Sequence, residues 1–384
     1  MERKTWTFTR QDLYELVWNR PGRDIASDLG ISDVALSKAC RRSNIPRPGP
    51  GYWAKQAVGK RTVRPTLPLR GLGQSDTVRI GGSRYWMEQI SDEQILNDPT
   101  PEPPRFAEDL TQVTERARIL VRKVAIPANI SRGHPLVVAL LEEDAGRRER
   151  QQARAYPSTW DAPRFDSPSG RRKLRILNAL FLGFARLGHK IRVHVEEDRQ
   201  SAVVWIGDRQ VSFHLESANR KAARGPRVQR ERLRLAINWY QSPPDVPLSW
   251  EDYDQVSLES QITDVAVGIL VAAEWSYRVG VQRRHDWRVE RRNELEKQIQ
   301  EAKEEAERKE TERLATLEKA RRDQLLTEVT AWQQAADIRR YIEAVRATPT
   351  ALGDPQAPRD LEVWTSWALA EADRLDPLYT KRSY

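Results

Sequence analysis

The spacing of hydrophobic positions changes along the chain, and the changes predict a mainly α-helical protein with a small α+β domain. Spacings of three and four residues before position 43 predict three short helices. Helical spacing returns in 106–124, 135–154 and 171–187. Alternating positions then predict strands at 191–195, 202–206, 211–215 and 233–238. Short turns between them favour a central antiparallel sheet with helices packed on it.

A long charged helix is predicted towards the carboxy terminus, because 258–346 contain no proline and only two glycines. Its first part is strongly apolar and is expected to cover the sheet. The part at 288–328 holds 11 basic and 12 acidic residues among 41. A heptad-like seam there favours a coiled-coil homodimer over a single solvated helix. The seam consists of Leu295, Ile299, Ala302 and Ala306, lapses at 307–312 and resumes with Leu314, Leu317, Leu325 and Val329.

Two aromatic faces near the end of the chain predict a helical hairpin that closes as a small cap. The first face is Trp332, Ile338, Tyr341, Ile342 and Val345, and the second is Leu361, Val363, Trp364, Trp367, Leu369 and Leu375. The tryptophans are expected to fill a small core, with a partner surface as the alternative.

These patterns divide the chain into five segments. They are a helix–turn–helix module with a basic arm (1–64), a linker rich in Pro and Gly (65–105), an α+β domain (106–287), a long charged helix (288–348) and a helical cap (349–384).

Residues 24–42, DIASDLGISDVALSKACRR, have the pattern of a helix–turn–helix. Ala26 is a small residue that allows two helices to pack closely, and Gly30 supplies the positive φ of a tight turn. Ser32 is expected to cap the third helix, from Asp33 to about Arg42. The positions expected to face inward are Ile25, Leu29, Ile31, Leu36 and Ala39.

The outer face of the third helix retains side chains that bond base edges or phosphates. They are Ser32, Asp33, Ser37, Lys38, Arg41 and Arg42. Pro and Gly deny the next stretch a helix before Tyr52, which predicts an extended arm that follows a phosphate backbone or enters a minor groove. Its cations are Arg47, Lys55, Lys60 and Arg61. Tyr52 and Trp53 are expected to hold the arm against the helices, because duplex DNA offers no free base face.

A helix–turn–helix followed by Ile-Pro-Arg-Pro at 45–48 and Gly-Tyr-Trp-Ala-Lys at 51–55 resembles a family of uncharacterised bacterial proteins. Those proteins carry this module at the amino terminus and end in a Trp-rich helical tail. The resemblance implies DNA binding, and it implies neither a target nor a reaction.

The distribution of charge agrees with a polyanionic partner. The formal charge is +9, from 64 basic and 55 acidic residues, and 1–64 alone carry 13 basic and 6 acidic ones. A basic module at one end is suited to double-stranded DNA. A generic three-helix bundle with a solvated basic terminus is the alternative, but it has no need for Ala and Gly at these positions. A second basic stretch at 220–232 is either a phosphate-contacting loop or a solvated hairpin tip.

Candidate chemistry is sparse, so we expect neither enzymatic activity nor a cofactor or metal. The single cysteine, Cys40, excludes an intrachain disulfide and a multi-cysteine zinc site. His189 and His194 are five positions apart along a strand and are expected to face opposite ways. The stretch 216–221 lacks the tight Glu-x-Lys spacing of a metal-dependent nuclease.

The chain is expected to be cytoplasmic, with no membrane partner. The most apolar segment, 265–273, is far shorter than the roughly 18 to 20 residues that span a bilayer. No apolar segment follows the charged first ten residues, so a signal peptide is not expected.

The sequence therefore predicts a helix–turn–helix DNA-binding protein, with transcriptional regulation as the leading role. The alternative is a structural or interaction component of a mobile-element or defence system, tethered to DNA and joined to a protein partner through the long helix or the cap. A metal-dependent nuclease ranks third.

Overall fold

The computed structural model describes residues 5–81, 90–130, 133–153, 162–195, 199–218, 232–239, 246–348 and 357–380. It confirms the predicted fold class, since helices dominate and the larger sheet is a small antiparallel one. The chain divides into two compact units, Met1–Glu290 and Arg291–Tyr384. No helix among the described residues is both long enough and apolar enough to cross a membrane.

The first unit begins with the predicted three helices, framed by two strands. The elements are β1 (Thr5–Thr9), α1 (Arg10–Asn19), α2 (Gly22–Asp28), α3 (Asp33–Arg42), α4 (Tyr52–Ala57) and β2 (Thr77–Gly81). The third helix has the predicted bounds, and no helix precedes Tyr52 in the arm, as expected.

The expected linker at 65–105 is wrong for its first part. Strand β2 lies in it and pairs antiparallel with β1, with Phe8 opposite Val78 and Trp6 opposite Ile80. Val78 and Ile80 are buried in the same hydrophobic cluster as α1 and α3. Each strand is only five residues long and has two apolar positions, so its alternation is a weak signal in the sequence. A short helix, α5 (Asp92–Asn97), also lies within the expected linker.

The α+β part of the first unit has helices followed by a meander of strands. The elements are α6 (Leu110–Val121), α7 (Pro135–Ala153), α8 (Pro168–Arg186), β3 (Lys190–Val195), β4 (Arg199–Ile206), β5 (Arg209–Ser217), β6 (Leu233–Asn238), β7 (Ser249–Glu251) and α9 (Ile262–Ala347). The five strands pair antiparallel in sequence order. The short β7 adds an unpredicted fifth strand at the edge.

The core of this part lies on one face of the sheet. Alternate residues of β4, namely Ala202, Val204 and Ile206, are buried, as their period of two predicts. They belong to one cluster with the apolar faces of α8 and of the first part of α9. Burial of this continuous apolar surface is the main favourable contribution to folding of the unit.

A buried carboxylate joins the two parts of the first unit. Glu274, on α9, is completely buried and accepts hydrogen bonds from both terminal nitrogens of Arg70. It also accepts from Nε of Arg278 at 2.9 Å and from the backbone N–H of Gly73 at 3.1 Å. Arg70 in turn lies over the ring of Tyr277, 4.1 Å from its centroid. The segment that follows α4 is therefore fixed against α9.

The second unit contains the predicted helical hairpin. Helix α10 (Ala357–Leu375) runs antiparallel to the end of α9 and is followed by α11 (Pro377–Thr380). Arg339 forms ion pairs of 2.8 Å with Asp373 and 2.7 Å with Asp376. Side chains buried in the hairpin include Ala335, Ile342, Ala368 and Ala372.

The expected aromatic core of the hairpin is partly wrong. Trp332 is 46% exposed and Trp367 is 63% exposed, and Tyr341 and Val363 are exposed as well. Alanines occupy the interface and allow the helices to approach closely, so several bulky side chains lie beside the contact. The predicted coiled-coil seam also differs at its first residue. Leu295 is already buried within the single chain, whereas Ile299 is 43% exposed.

Replacing Glu274 with Gln is expected to lower the free energy of unfolding by about 3 to 5 kcal/mol, because two arginines lose their buried counter-charge. Burial alone would raise the pKa of Glu274, but its hydrogen bonds to Arg70 and Arg278 outweigh burial and lower it. The carboxylate therefore stabilises the fold fully above the ordinary pKa of 4.5 and loses this effect as the pH falls through the lowered value. Denaturant titration from pH 7 to pH 3 measures the difference between wild type and variant, which should shrink with acidity.

The matched control is Glu310→Gln, since Glu310 is an exposed carboxylate paired with Arg313 on α9. That change should stay within about 0.5 kcal/mol. Equal effects of the two variants would contradict a stabilising role for the Glu274 cluster.

Candidate nucleic-acid interface

The helix–turn–helix geometry follows from a few residues between α2 and α3. Gly30 has φ of +63°, which a residue without Cβ adopts freely. The N–H of Ile31 donates to the carbonyl of Ala26 at 2.9 Å and closes the turn. Ser32 caps α3, with its hydroxyl accepting from the N–H of Ala35 at 3.1 Å. The predicted turn and cap are thus confirmed.

The face of α3 opposite the core has the predicted composition. Ile25, Leu36 and Ala39 are buried, and Leu29 and Ile31 pack against the same cluster. Of the predicted outward residues, Ser37 is half-buried, and the exposed ones are Ser32, Asp33, Lys38, Arg41 and Arg42. The side chains of Lys38 and Arg41 form no hydrogen bond or ion pair within the part of the chain that the structure describes. Their charges are therefore available to an anionic ligand.

Two of the predicted site residues contact each other. Nη2 of Arg47, in the arm, lies 2.9 Å from Oδ1 of Asp33, in the first turn of α3. The pair covers Gly22 at the start of α2, where a Cβ atom would lie 2.6 Å from the same Arg47 nitrogen. The arm therefore crosses the amino-terminal end of α3 and neutralises the acidic side chain there. Because the residues are 14 positions apart, local spacing gives no sign of this pair.

The arm lies against the helices, as expected from its aromatic pair, Tyr52 and Trp53. The indole N–H of Trp18 donates to the carbonyl of Pro46 at 2.9 Å. Tyr52 packs edge-on against Trp18, with ring centroids 5.1 Å apart, and Trp53 packs edge-on against Tyr52. These contacts confirm that the aromatic pair holds the arm against the helices.

Beyond α4 the chain returns over α1. Arg64 lies 4.6 Å from the centroid of the Tyr14 ring and forms a 2.6 Å ion pair with Glu15. The remaining predicted cations of the arm are Lys55, Lys60 and Arg61. All three are exposed, and none of their side chains has a hydrogen bond or ion pair among the described residues.

Two arginines have structural roles at the end of α3. Arg10 is buried and donates to the carbonyls of Ser43 at 2.8 Å, Asn44 at 3.1 Å and Pro68 at 3.0 Å. Burial lowers the pKa of Arg10, and the three carbonyls accept from its Nε and Nη2 donors. Arg42 donates to the carbonyl of Arg79 at 3.3 Å, so the end of α3 is tied to β2. In the sequence Arg10 resembles an ordinary exposed residue after a helix cap.

Three further candidates from the sequence are a metal site, the second basic stretch and Cys40. The described residues contain no group of three or more His, Cys, Asp or Glu placed to hold a metal ion. The basic stretch 220–231 lies outside the described residues. Cys40 is buried in the core of the three helices, and burial raises the pKa of its thiol to about 11.

No protein-family model, no curated protein and no solved structure matches the chain.

Cys40 should react slowly with a thiol reagent in the native chain at pH 8. A pKa of about 11 in place of 9.0 leaves about 100-fold less thiolate, before any loss of access. Stopped-flow labelling with an aromatic disulfide measures the rate, which should rise to that of a free thiol in guanidinium chloride.

The matched control places a thiol on the surface of the same module, as Ser27→Cys in a Cys40→Ser background, because Ser27 is exposed on α2. This thiol should react at the free rate without denaturant. Fast labelling of native Cys40 would contradict a closed core of α1, α2 and α3.

Proposed function

We propose that this chain binds double-stranded DNA through α3 and acts as a transcriptional regulator. The supporting observation is the exposed pair of unpaired cations, Lys38 and Arg41, on the helix after a Gly turn. Arg or Lys on such a helix bonds guanine in the major groove, and the hydroxyls of Ser32 and Ser37 bond several bases. The buried core beneath α3 supplies the rigid support that base recognition needs.

The surrounding cations fit backbone contacts rather than base recognition. Lys55, Lys60 and Arg61 are exposed on or just after α4, a short helix held by the Tyr52–Trp18 contact. Such contacts fix the orientation of a protein on the duplex without carrying sequence information. We therefore assign sequence reading to α3 and phosphate binding to the α4 region.

Arg41→Ala is expected to cost about 1 to 3 kcal/mol on a selected duplex and much less on a scrambled one, because a bidentate base contact is lost. Fluorescence anisotropy with the full chain and both duplexes measures this difference. If roughly five phosphates are neutralised, the wild-type log–log dependence of affinity on salt should have a slope of about −4 to −5.

Lys60→Ala and Arg61→Ala serve as charge-matched controls for Arg41→Ala. Each should weaken both duplexes alike and reduce the slope by about one. Equal losses on both duplexes for Arg41→Ala would show that α3 does not read sequence. No binding to either duplex at low salt would overturn the proposal.

We further propose that the chain is a homodimer formed through an apolar stripe on α9. The stripe consists of Leu314, Leu317, Leu325, Val329 and Trp332, all exposed. Leu314 and Trp332 are 18 residues apart, about five helical turns, so they lie on one face. The stripe ends three residues before the buried Ala335 and so continues the apolar core of the hairpin.

The charges beside the stripe favour a second copy as its occupant. They are paired within the helix, as in Glu305–Lys309 at 2.7 Å, Glu310–Arg313 at 2.8 Å and Glu318–Arg322 at 3.1 Å. A surface with self-compensated charge offers no electrostatic attraction to a strongly acidic or basic partner. Apolar contact between two identical stripes fits this surface better than a partner of opposite charge.

Leu325→Lys should convert the dimer to a monomer, because a charge would be buried in the contact. Light scattering at micromolar concentration measures the mass. Leu326→Lys is the matched control, since Leu326 is 58% exposed against 60% for Leu325 but lies about 100° around the helix.

Leu326→Lys should leave the mass unchanged. Ile299→Lys should change the mass less than Leu325→Lys does, because Leu295, the neighbour of Ile299 on the helix, is already buried. A wild-type monomer at these concentrations would instead favour the tethering role, with a different protein on the stripe.

A further inference from the structure

Two arginines of the α+β part converge across one glycine. Arg209 follows the β4–β5 turn, and Arg284 projects from α9. A Cβ atom at Gly280 would lie 3.5 Å from Nη1 of Arg209 and 3.7 Å from Nη1 of Arg284. The absent side chain leaves room for both guanidinium groups over the same point of α9.

Neither guanidinium has a hydrogen bond or an ion pair within the described part of the chain. Nε of Arg209 is buried without a partner. Of the nearby acids, Glu274 is paired with Arg70 and Arg278, and Asp208 accepts a hydrogen bond from the N–H of Ser75 at 2.8 Å rather than from either guanidinium. Burial, and then the charge of Arg284, lower the pKa of Arg209. Asp208 and Glu274 attract Arg209 from a distance, but among the described residues neither arginine has a carboxylate within ion-pair distance.

Tertiary contacts fix the position of Arg209. The turn before it contains Gly207, with φ of +57°, where a Cβ atom would lie 2.6 Å from the backbone nitrogen of Gln74. The N–H of Asp208 donates to the carbonyl of Gly73 at 3.1 Å. The Arg209 guanidinium also lies over the ring of Tyr277, 5.6 Å from its centroid. The side chain is therefore held in place before any ligand binds.

The same segment connects this arginine pair to the proposed reading helix. Nε2 of Gln74 donates to the carbonyl of Arg42, the last residue of α3. Gln74 thus contacts α3 through Arg42 and the β4–β5 turn through Gly207. Arg209 and the end of α3 are separated by this one docked segment within a single compact unit.

We propose that Arg209 and Arg284 form a second phosphate-binding site, which takes a backbone phosphate of the DNA bound by α3. The inference rests on the proposed function and extends the interface from the helix–turn–helix onto the α+β part. Two guanidinium groups supply planar pairs of N–H donors that match phosphate oxygens. A phosphate between them replaces repulsion between two cations with two attractive contacts.

Binding of the full chain to a duplex of about 40 base pairs tests this site. Arg209→Gln and Arg284→Gln should each reduce the steepness of the salt dependence by about 0.9, the value for one phosphate. If wild type and variant bind equally at 1 M salt, a slope that is smaller by 0.9 makes the variant bind about eightfold more weakly at 0.1 M salt. The double variant should lose little more than either single one, because both arginines hold the same phosphate. Selected and scrambled duplexes should be affected alike.

Arg283→Gln is the matched control, since it removes the same charge from an exposed neighbour on α9 that has no partner among the described residues. It should change affinity less than twofold. Thermal unfolding of each variant shows whether Arg209 is needed for folding. If its removal lowers the midpoint, the exposed Arg284 decides the outcome.

Three results would overturn the phosphate site. The first is that the wild type binds DNA and Arg284→Gln changes the affinity no more than Arg283→Gln does. That result would leave the proposal of DNA binding through α3 intact. The second is a loss confined to the selected duplex, which would indicate a base contact instead. The third is a wild-type chain that binds neither duplex at low salt, which would overturn both proposals.

Discussion

Burial of the Glu274 carboxylate constrains the whole first unit. An ionised carboxylate without water requires compensating positive charge and hydrogen-bond donors. One arginine, Arg278, comes from the same helix, but the other donors come from Arg70 and the N–H of Gly73. These two residues lie just before β2, so satisfying the carboxylate places the returning chain against α9. The strand that completes the amino-terminal module is therefore positioned by an ion cluster in the α+β part.

Local periodicity predicted the elements whose side chains repeat over several turns or several strand positions. The bounds of α3, its Ser32 cap and the four strands β3 to β6 follow from spacing over five or more residues with repeated apolar positions. Strands β1 and β2 could not be recognised in this way, because each offers only two apolar residues and its partner is about 70 positions away. The β7 strand has three residues and carries still less signal.

The candidate interface shows the same limit. The outward position of Lys38 and Arg41 follows from the helical period, and the structure places both at the surface. The contacts of Arg10 and Arg47 depend on how the chain returns after α3, which no local pattern encodes. The prediction that Trp367 is buried in the hairpin is wrong for a related reason. The sequence does not show that alanines fill the contact between the two helices.

The Asp33–Arg47 ion pair gives the proposed DNA face a resident anion. A phosphate approaching Arg47 has to displace a carboxylate 2.9 Å away, whereas Lys38 and Arg41 have no such competitor among the described residues. The basic surplus of the first 64 residues therefore overstates the attraction at the amino-terminal end of α3. On the proposed interface, non-specific DNA gains little from opening this pair. On the same proposed interface, a duplex that offers Asp33 a cytosine amino group would compensate the exchange, so the pair would favour duplexes with cytosine at that position.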